Sequence, residues 1–112
     1  MIIENNPLKG IKSELNHLDD VASQLGIIRN QWEYYRATYD YLIPYQGDEY
    51  YLRIDTRAIE GKLEQPHAVL QINDAYIGRA TFPHGLTYSE PIPAQVVKAA
   101  ENKLTELANH LK

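Results

Sequence analysis

Strands of period two set between two amphipathic helices predict an α+β fold. The expected form is a two-layer sandwich, an antiparallel sheet of about four to five strands with two helices on one face. Apolar residues recur at spacings of three and four near both ends of the chain, while from Trp32 the pattern alternates in twos. Helices and strands fall into runs, without strict βαβ alternation, which argues for α+β. Two helices with single apolar stripes need one surface to cover, and the inward face of a sheet supplies it. The expected order is β-α-β-β-β-β-α within a single domain, residues 1–112.

Met1 to Glu4 reads as a short opening strand, ended by Asn5-Asn6-Pro7. Ile11, Leu15, Leu18, Val21, Ala22 and Leu25 then lie on one helical face. Ser13 has the chemistry of an N-cap, and Gly26 stands where a left-handed C-terminal cap belongs, so the spacing predicts a helix over 13–25. Seven of the nine tyrosines, Tyr34 through Tyr51, occupy the next stretch. In its first strand Tyr35, Ala37, Tyr39, Tyr41 and Ile43 share the inward face, and Trp32, Tyr34, Arg36, Thr38 and Asp40 the outward one. Pro44 to Asp48 reads as a hairpin loop of about five residues. In the second strand Tyr50, Leu52, Ile54, Thr56 and Ala58 point inward, and Tyr51, Arg53, Asp55 and Arg57 outward.

A polar loop over 60–66 precedes a third strand, His67 to Asn73, with Ala68, Leu70 and Ile72 inward. Ala75 to Phe82 reads as a weaker fourth, where Gly78 suggests a bulge or an edge. Phe82 to Pro93, with three prolines and a glycine, reads as a stiff connector and not a strand. The clearest helix follows Pro93, with Val97, Ala100, Leu104, Leu107 and Leu111 as its stripe.

Composition removes several functions. The chain has no cysteine, which excludes disulfides, zinc–thiolate sites, iron–sulfur clusters and a cysteine nucleophile. Eleven Lys and Arg against 15 Asp and Glu leave a formal charge of −4, without the footprint of a general nucleic-acid binder. No apolar run is long enough to span a membrane. The first residues lack a basic segment followed by an apolar one, so a cytoplasmic location is the default expectation.

No catalytic residue, cofactor or metal ligand set emerges. The serines lack a Gly-x-Ser-x-Gly context, the glycines are dispersed, and no His-x-x-x-His or Glu-x-x-His pair exists. Two groups of residues stand as binding candidates. The first is the outer sheet face, where Tyr34, Arg36, Tyr51, Arg53 and Arg57 would form a platform of rings and guanidinium groups. Its bland alternative is a solvated face of weak cross-strand ion pairs. The second is the pair His67 and His84, which would anchor a ligand if they converged with Asp or Glu near the 83–93 connector. That connector also carries Tyr88 and Glu90, and a connection so long is often functional.

Several runs taken in order carry a family resemblance. They are Glu14-Leu15-Asn16-His17-Leu18-Asp19-Asp20, Trp32-Glu33-Tyr34 through Thr38-Tyr39-Asp40-Tyr41, Tyr50-Tyr51-Leu52-Arg53, Lys62 to His67-Ala68-Val69, and Pro83-His84-Gly85. Together they resemble the YugN-like family, small uncharacterised proteins of Bacillus-type bacteria. The resemblance implies an α+β domain of the helix-on-sheet type seen in the TATA-binding-protein topology, and a bacterial cytosol. It brings no catalytic residues, and a shared topology does not imply DNA binding. The expected function is a non-enzymatic binding or interaction module using the outer sheet face. A homodimer, another protein or a small molecule is the expected partner. The alternative is a small-molecule-binding protein or enzyme with its site near the 83–93 connector.

Overall fold

The period-two segments build one antiparallel sheet. The computed structural model describes residues 1–31, 33–81, 85–88 and 91–111. At the centre of the sheet lie β3 (Arg36–Tyr45), β4 (Asp48–Glu60) and β5 (Val69–Thr81). Shorter strands flank them: β1 (Lys12–Glu14), β2 (Ile28–Gln31) and β6 (Gly85–Thr87). The spatial order is β1-β5-β4-β3-β2, with β6 pairing on β5 as well. Helices α1 (Leu15–Gln24) and α2 (Ala94–Leu111) cover one face, so the α+β sandwich stands.

The core follows the expected alternation. Ala37, Tyr39, Ile43, Tyr50, Leu52, Ile54 and Thr56 are buried on the inner face, against Leu18, Val21 and Ala22 of α1 and Leu104 and Leu107 of α2. On α2 the stripe is wider than expected: Val96 is buried to 1 % exposure, and Val97 is only half-buried beside it. Pro93 precedes the helix, and its carbonyl accepts from the N–H groups of Val96 and Val97.

Several elements differ from the expectation. The third and fourth strands are one 13-residue strand, β5. Its inward residues run Leu70, Ile72, then Ala75, Ile77, because Ile54 pairs with Ala75 while Thr56 pairs with Ile72. Asn73 and Asp74 thus stand opposite the single Asp55, a bulge that reverses the alternation and imitates a strand break. Gly78 is not that bulge; it pairs in regular register with Tyr51. Nor is the hairpin loop five residues long. Tyr45 pairs with Asp48 around Gln46 and Gly47, both at positive φ (49° and 86°), a two-residue turn of the kind that matches strand twist. Pro44 therefore lies inside β3, at a position whose nitrogen faces away from β4 toward an edge that β2 no longer covers.

The first strand begins at Arg36, not Trp32, which lies outside the described residues. Tyr34 and Tyr35 form a bend, and Tyr35 is exposed, not inward. Their carbonyls accept from Leu63 and Ala58. Strand β2 has no counterpart in the sequence reading, and β6 lies within what read as a connector.

Helix α1 begins at Leu15, and Ser13 belongs to β1. Its first N–H groups are taken by tertiary contacts, Leu15 to the Ala68 carbonyl at 2.8 Å and Asn16 to the Pro66 carbonyl at 3.1 Å. The far end behaves as expected. Gly26 sits at φ +78°, and Ile27 donates back to Ala22, closing a left-handed cap.

The outer edge of β5 would be a template for unwanted pairing. Three pieces cover it in turn. Strand β1 pairs with Val69–Gln71, Ile2 bridges Tyr76, and β6 pairs with Arg79–Thr81. The start of the chain is therefore a single bridge in place of the expected strand. That patching also brings Met1, Ile2 and Tyr88 to the rim of the sheet's other face.

Candidate functional site

The outward-pointing residues of β3, β4 and β5 leave a hollow face without helices. Its central feature is a bidentate ion pair. Arg53 donates from Nε and Nη2 to the two carboxylate oxygens of Asp40, each at 2.9 Å. Asn30 of β2 adds a third donor at 2.8 Å. Asp40 is the only buried acid among the described residues, at 8 % exposure, so this fork supplies the hydrogen bonds its burial requires. The carboxylate in turn holds the Arg53 guanidinium more firmly protonated than usual.

Two clefts of about 510 Å³ each lie on either side of this pair. The first is walled by Met1, Ile2, Tyr76 and Tyr88 and floored by Thr38, Arg53, Asp55 and Arg36. Its walls are largely apolar and its floor carries a few polar groups, the usual make-up of a small-molecule site. The Tyr76 and Tyr88 rings meet edge to face, 6.1 Å apart with planes at 62°. Tyr88 Oη lies 3.5 Å from Arg53 Nη1. The second cleft, lined by Asn30, Glu49, Tyr51, Thr81 and Leu86 among others, is more polar.

Gly78 makes the tyrosine wall feasible. A Cβ built there would meet Tyr88 Cε1 at 2.9 Å and the Thr87 carbonyl oxygen at 3.2 Å, both too close. The residue that reads as a strand defect is the space into which the Tyr88 ring packs.

Two groups in the first cleft titrate away from their ordinary values. Burial raises the Asp55 pKa; Arg36, 3.8 Å away, opposes this, and Asp74 adds to it. The Tyr76 pKa is raised chiefly by burial, with Asp74 and Asp55 contributing. Among the described residues no cluster of three or more His, Asp and Glu is placed to hold a metal ion.

The predicted site residues divide. Arg36 and Arg53 line the first cleft, Tyr51 and Arg53 the second, and Arg57 sits beside Arg36 on the same face. Tyr34 precedes the strands that form that face. It lies in the bend before β3, with the Lys62 ammonium 5.7 Å from its ring centroid. His67 is exposed and bonds to Glu14 at 3.0 Å. It precedes β5, whereas Thr81 and Gly85, which flank the 82–84 segment, stand at the other end of that strand. His84 and Glu90 lie outside the described residues. Thr38, Asp55, Tyr76, Tyr88, Met1 and Ile2 were not among the predicted binding residues. A period-two reading carried unbroken from Leu70 and Ile72 would have placed Tyr76 inward; the bulge turns it outward, opposite Arg53.

Fold and site define a small α+β domain with an open, tyrosine-walled sheet face. The chain belongs to the YugN-like family, whose model matches residues 4–106. It is 39 % identical over 108 residues to the uncharacterised protein YlbA of Bacillus subtilis (strain 168), covering 94 % of this chain and 90 % of that one. It is 32 % identical over 69 residues to the uncharacterised protein YugN of the same strain, covering 61 % and 52 %. The crystal structure of the uncharacterised conserved protein YugN from Geobacillus kaustophilus HTA426 superposes with a TM-score of 0.86 at 32 % identity, over 99 % of this chain and 94 % of that one.

Proposed function

We propose that the protein is a cytosolic, non-enzymatic binding module that takes a small molecule in the first outer-face cleft. The observation that carries this reading is the composition of the cleft. Sheet residues Thr38, Arg53, Asp55 and Tyr76 form its floor and one wall, and Tyr88, from the segment leading to α2, closes it. The outer sheet face and Tyr88 of the connector thus line one cleft, whereas His67 is not among its lining residues. Its central polar groups are engaged with each other, Arg53 with Asp40 and Tyr88 with Arg53, while Arg36 is held only loosely by Asp55. Such mutual engagement suits a preformed receptor better than a reacting centre with a free base.

The test is a small-molecule screen by thermal shift, followed by amide chemical-shift mapping of the hits. Hits should perturb Thr38, Tyr76 and Gly78. Tyr88→Ala, which removes a wall, and Thr38→Trp, which fills the floor, should each abolish them. Hits that map to the helical face, or that survive both substitutions, would end the proposal.

A homodimer through the same face is the second reading. It is favoured by Ile28 and Leu42, 68 % and 40 % exposed on the β2–β3 side of that face. Sedimentation of the wild type beside Ile28→Glu, Leu42→Glu distinguishes it. A monomeric wild type removes the dimer and leaves the cleft.

A further inference from the structure

The register of β3 on β4 sets Arg36 opposite Arg57. Tyr45 and Asp48 close the two-residue turn as a hydrogen-bonded pair, so even-numbered β3 residues fall at the non-hydrogen-bonded positions, where opposed side chains are closest. Ala58 N–H donating to the Tyr35 carbonyl confirms that parity next door. Two guanidinium groups thus share the tightest cross-strand spacing, an arrangement that is unfavourable without a counter-charge.

The counter-charge present is small. Arg36 has Asp55 at 3.8 Å, a loose contact, and the Arg36 side chain is 61 % exposed. Arg57 is exposed and makes no ion pair among the described residues. Glu33 borders the neighbouring hollow but pairs with neither. Arg53, two positions along β4 from Asp55, is different: its fork is saturated by Asp40. Arg36 lines one end of the cleft, with Arg57 across from it on β4 just beyond the lining, and the tyrosine rings stand at the other end. Tyr76 pairs with Arg53, and Arg57 lies four residues further along β4, so the two ends are separated by roughly 13 Å of strand.

We propose that the ligand is an amphipathic monocarboxylate, its head group between Arg36 and Arg57 and its apolar body along Thr38 against Tyr76, Tyr88 and Ile2. This deepens the binding reading above and rests on it. Charge complementarity selects the head, and the apolar wall selects the tail. A guanidinium pair holds a planar carboxylate by several N–H donors, and binding relieves the repulsion between the arginines.

Titration of the full chain with octanoate, 1-octanol and octylamine, followed by amide shifts and calorimetry, tests it. Octanoate should bind most tightly, perturb Arg36, Thr38, Arg57 and Tyr76 together, and weaken as salt rises. Arg36→Gln and Arg57→Gln should each reduce octanoate affinity about tenfold while leaving 1-octanol unchanged. Lys98→Gln, on exposed α2 surface, should change neither. Octanoate no tighter than 1-octanol, or arginine variants that behave as Lys98→Gln does, would overturn the carboxylate assignment. If 1-octanol still perturbs Tyr76 and Gly78 in that case, the cleft reading survives alone. Octanoate that perturbs none of the cleft amides overturns this inference, and the independent screen then decides the cleft itself.

Discussion

Tyr39 and Tyr88 stand on opposite faces of the sheet, and their surroundings differ in kind. Tyr39 is 1 % exposed, and its hydroxyl donates to Asp19 of α1 at 2.7 Å. Arg29 of β2 pairs with the same carboxylate oxygen at 3.1 Å. Burial and the neighbouring Asp19 drive the Tyr39 pKa far above its ordinary value, so the phenol stays a donor. The inner polar group is thus closed into a link between helix and sheet. Tyr88 is 44 % exposed, leans on Gly78 and Tyr76, and touches Arg53 only at 3.5 Å. The same side-chain chemistry serves cohesion on one face and leaves ring surface open on the other. Helices supply the difference: α1 brings an acid to the inner tyrosine, and among the described residues no helix covers the outer one.

That contrast can be broken from either side. Leu52→Ala, on the inner face at 0 % exposure, should cost about 2–5 kcal/mol in urea unfolding, because it removes contacts and leaves a cavity. On the outer face Arg53→Ala should cost about 2 kcal/mol, since Asp40 would keep only Asn30 as partner. Arg36→Ala, by contrast, should change stability by less than about 0.5 kcal/mol, as expected for an exposed, loosely paired arginine. Equal losses for the two arginines would show that the outer face is not divided into a structural centre and a free end.

Tyr39→Phe should cost about 1 kcal/mol, because Asp19 retains Arg29 after losing the phenol. An unchanged unfolding midpoint would mean that the inner link holds nothing. The smallest effect concerns Asp55, whose folded pKa is raised. The folded state then holds that proton more tightly than the unfolded chain, so its contribution is present below the ordinary carboxylate value and lost as pH rises through the folded one. Asp55→Asn should flatten that part of the stability–pH curve and leave the protein at least as stable at neutral pH. A steeper curve in the variant would contradict the cause assigned to the shift.

Most of the inner face was readable from alternation, Tyr35 being the exception. Ala37, Tyr39, Ile43, Tyr50, Leu52 and Ile54 alternate as a half-buried sheet must, and Gly26 ends α1 where a left-handed residue was needed. The reading failed where a local rule was overridden. Ser13 has the right chemistry for a cap, yet the first N–H groups of α1 are satisfied by Pro66 and Ala68, some fifty residues away. Asn73 and Asp74 interrupt the alternation as a strand end would, and only the opposing Asp55 shows them to be a bulge. Of the residues proposed for binding, Arg36, Arg53 and Arg57 were visible from alternation alone. Tyr76 and Tyr88 were not, because their place depends on that bulge and on β6 returning along β5.

The sequence by itself determined the α+β class, the two helices, the inward set within β3 and β4, and the family. Each of these rests on periodicity, on a single residue's conformational freedom, or on motif order, all of which are local. Tertiary structure alone decided the bulge, the three-piece cover of β5, the cap of α1, and the cleft built by joining the chain's first residues to Tyr88 across Gly78. Those features depend on contacts between residues far apart in the chain, and no local pattern encodes which distant atom will arrive.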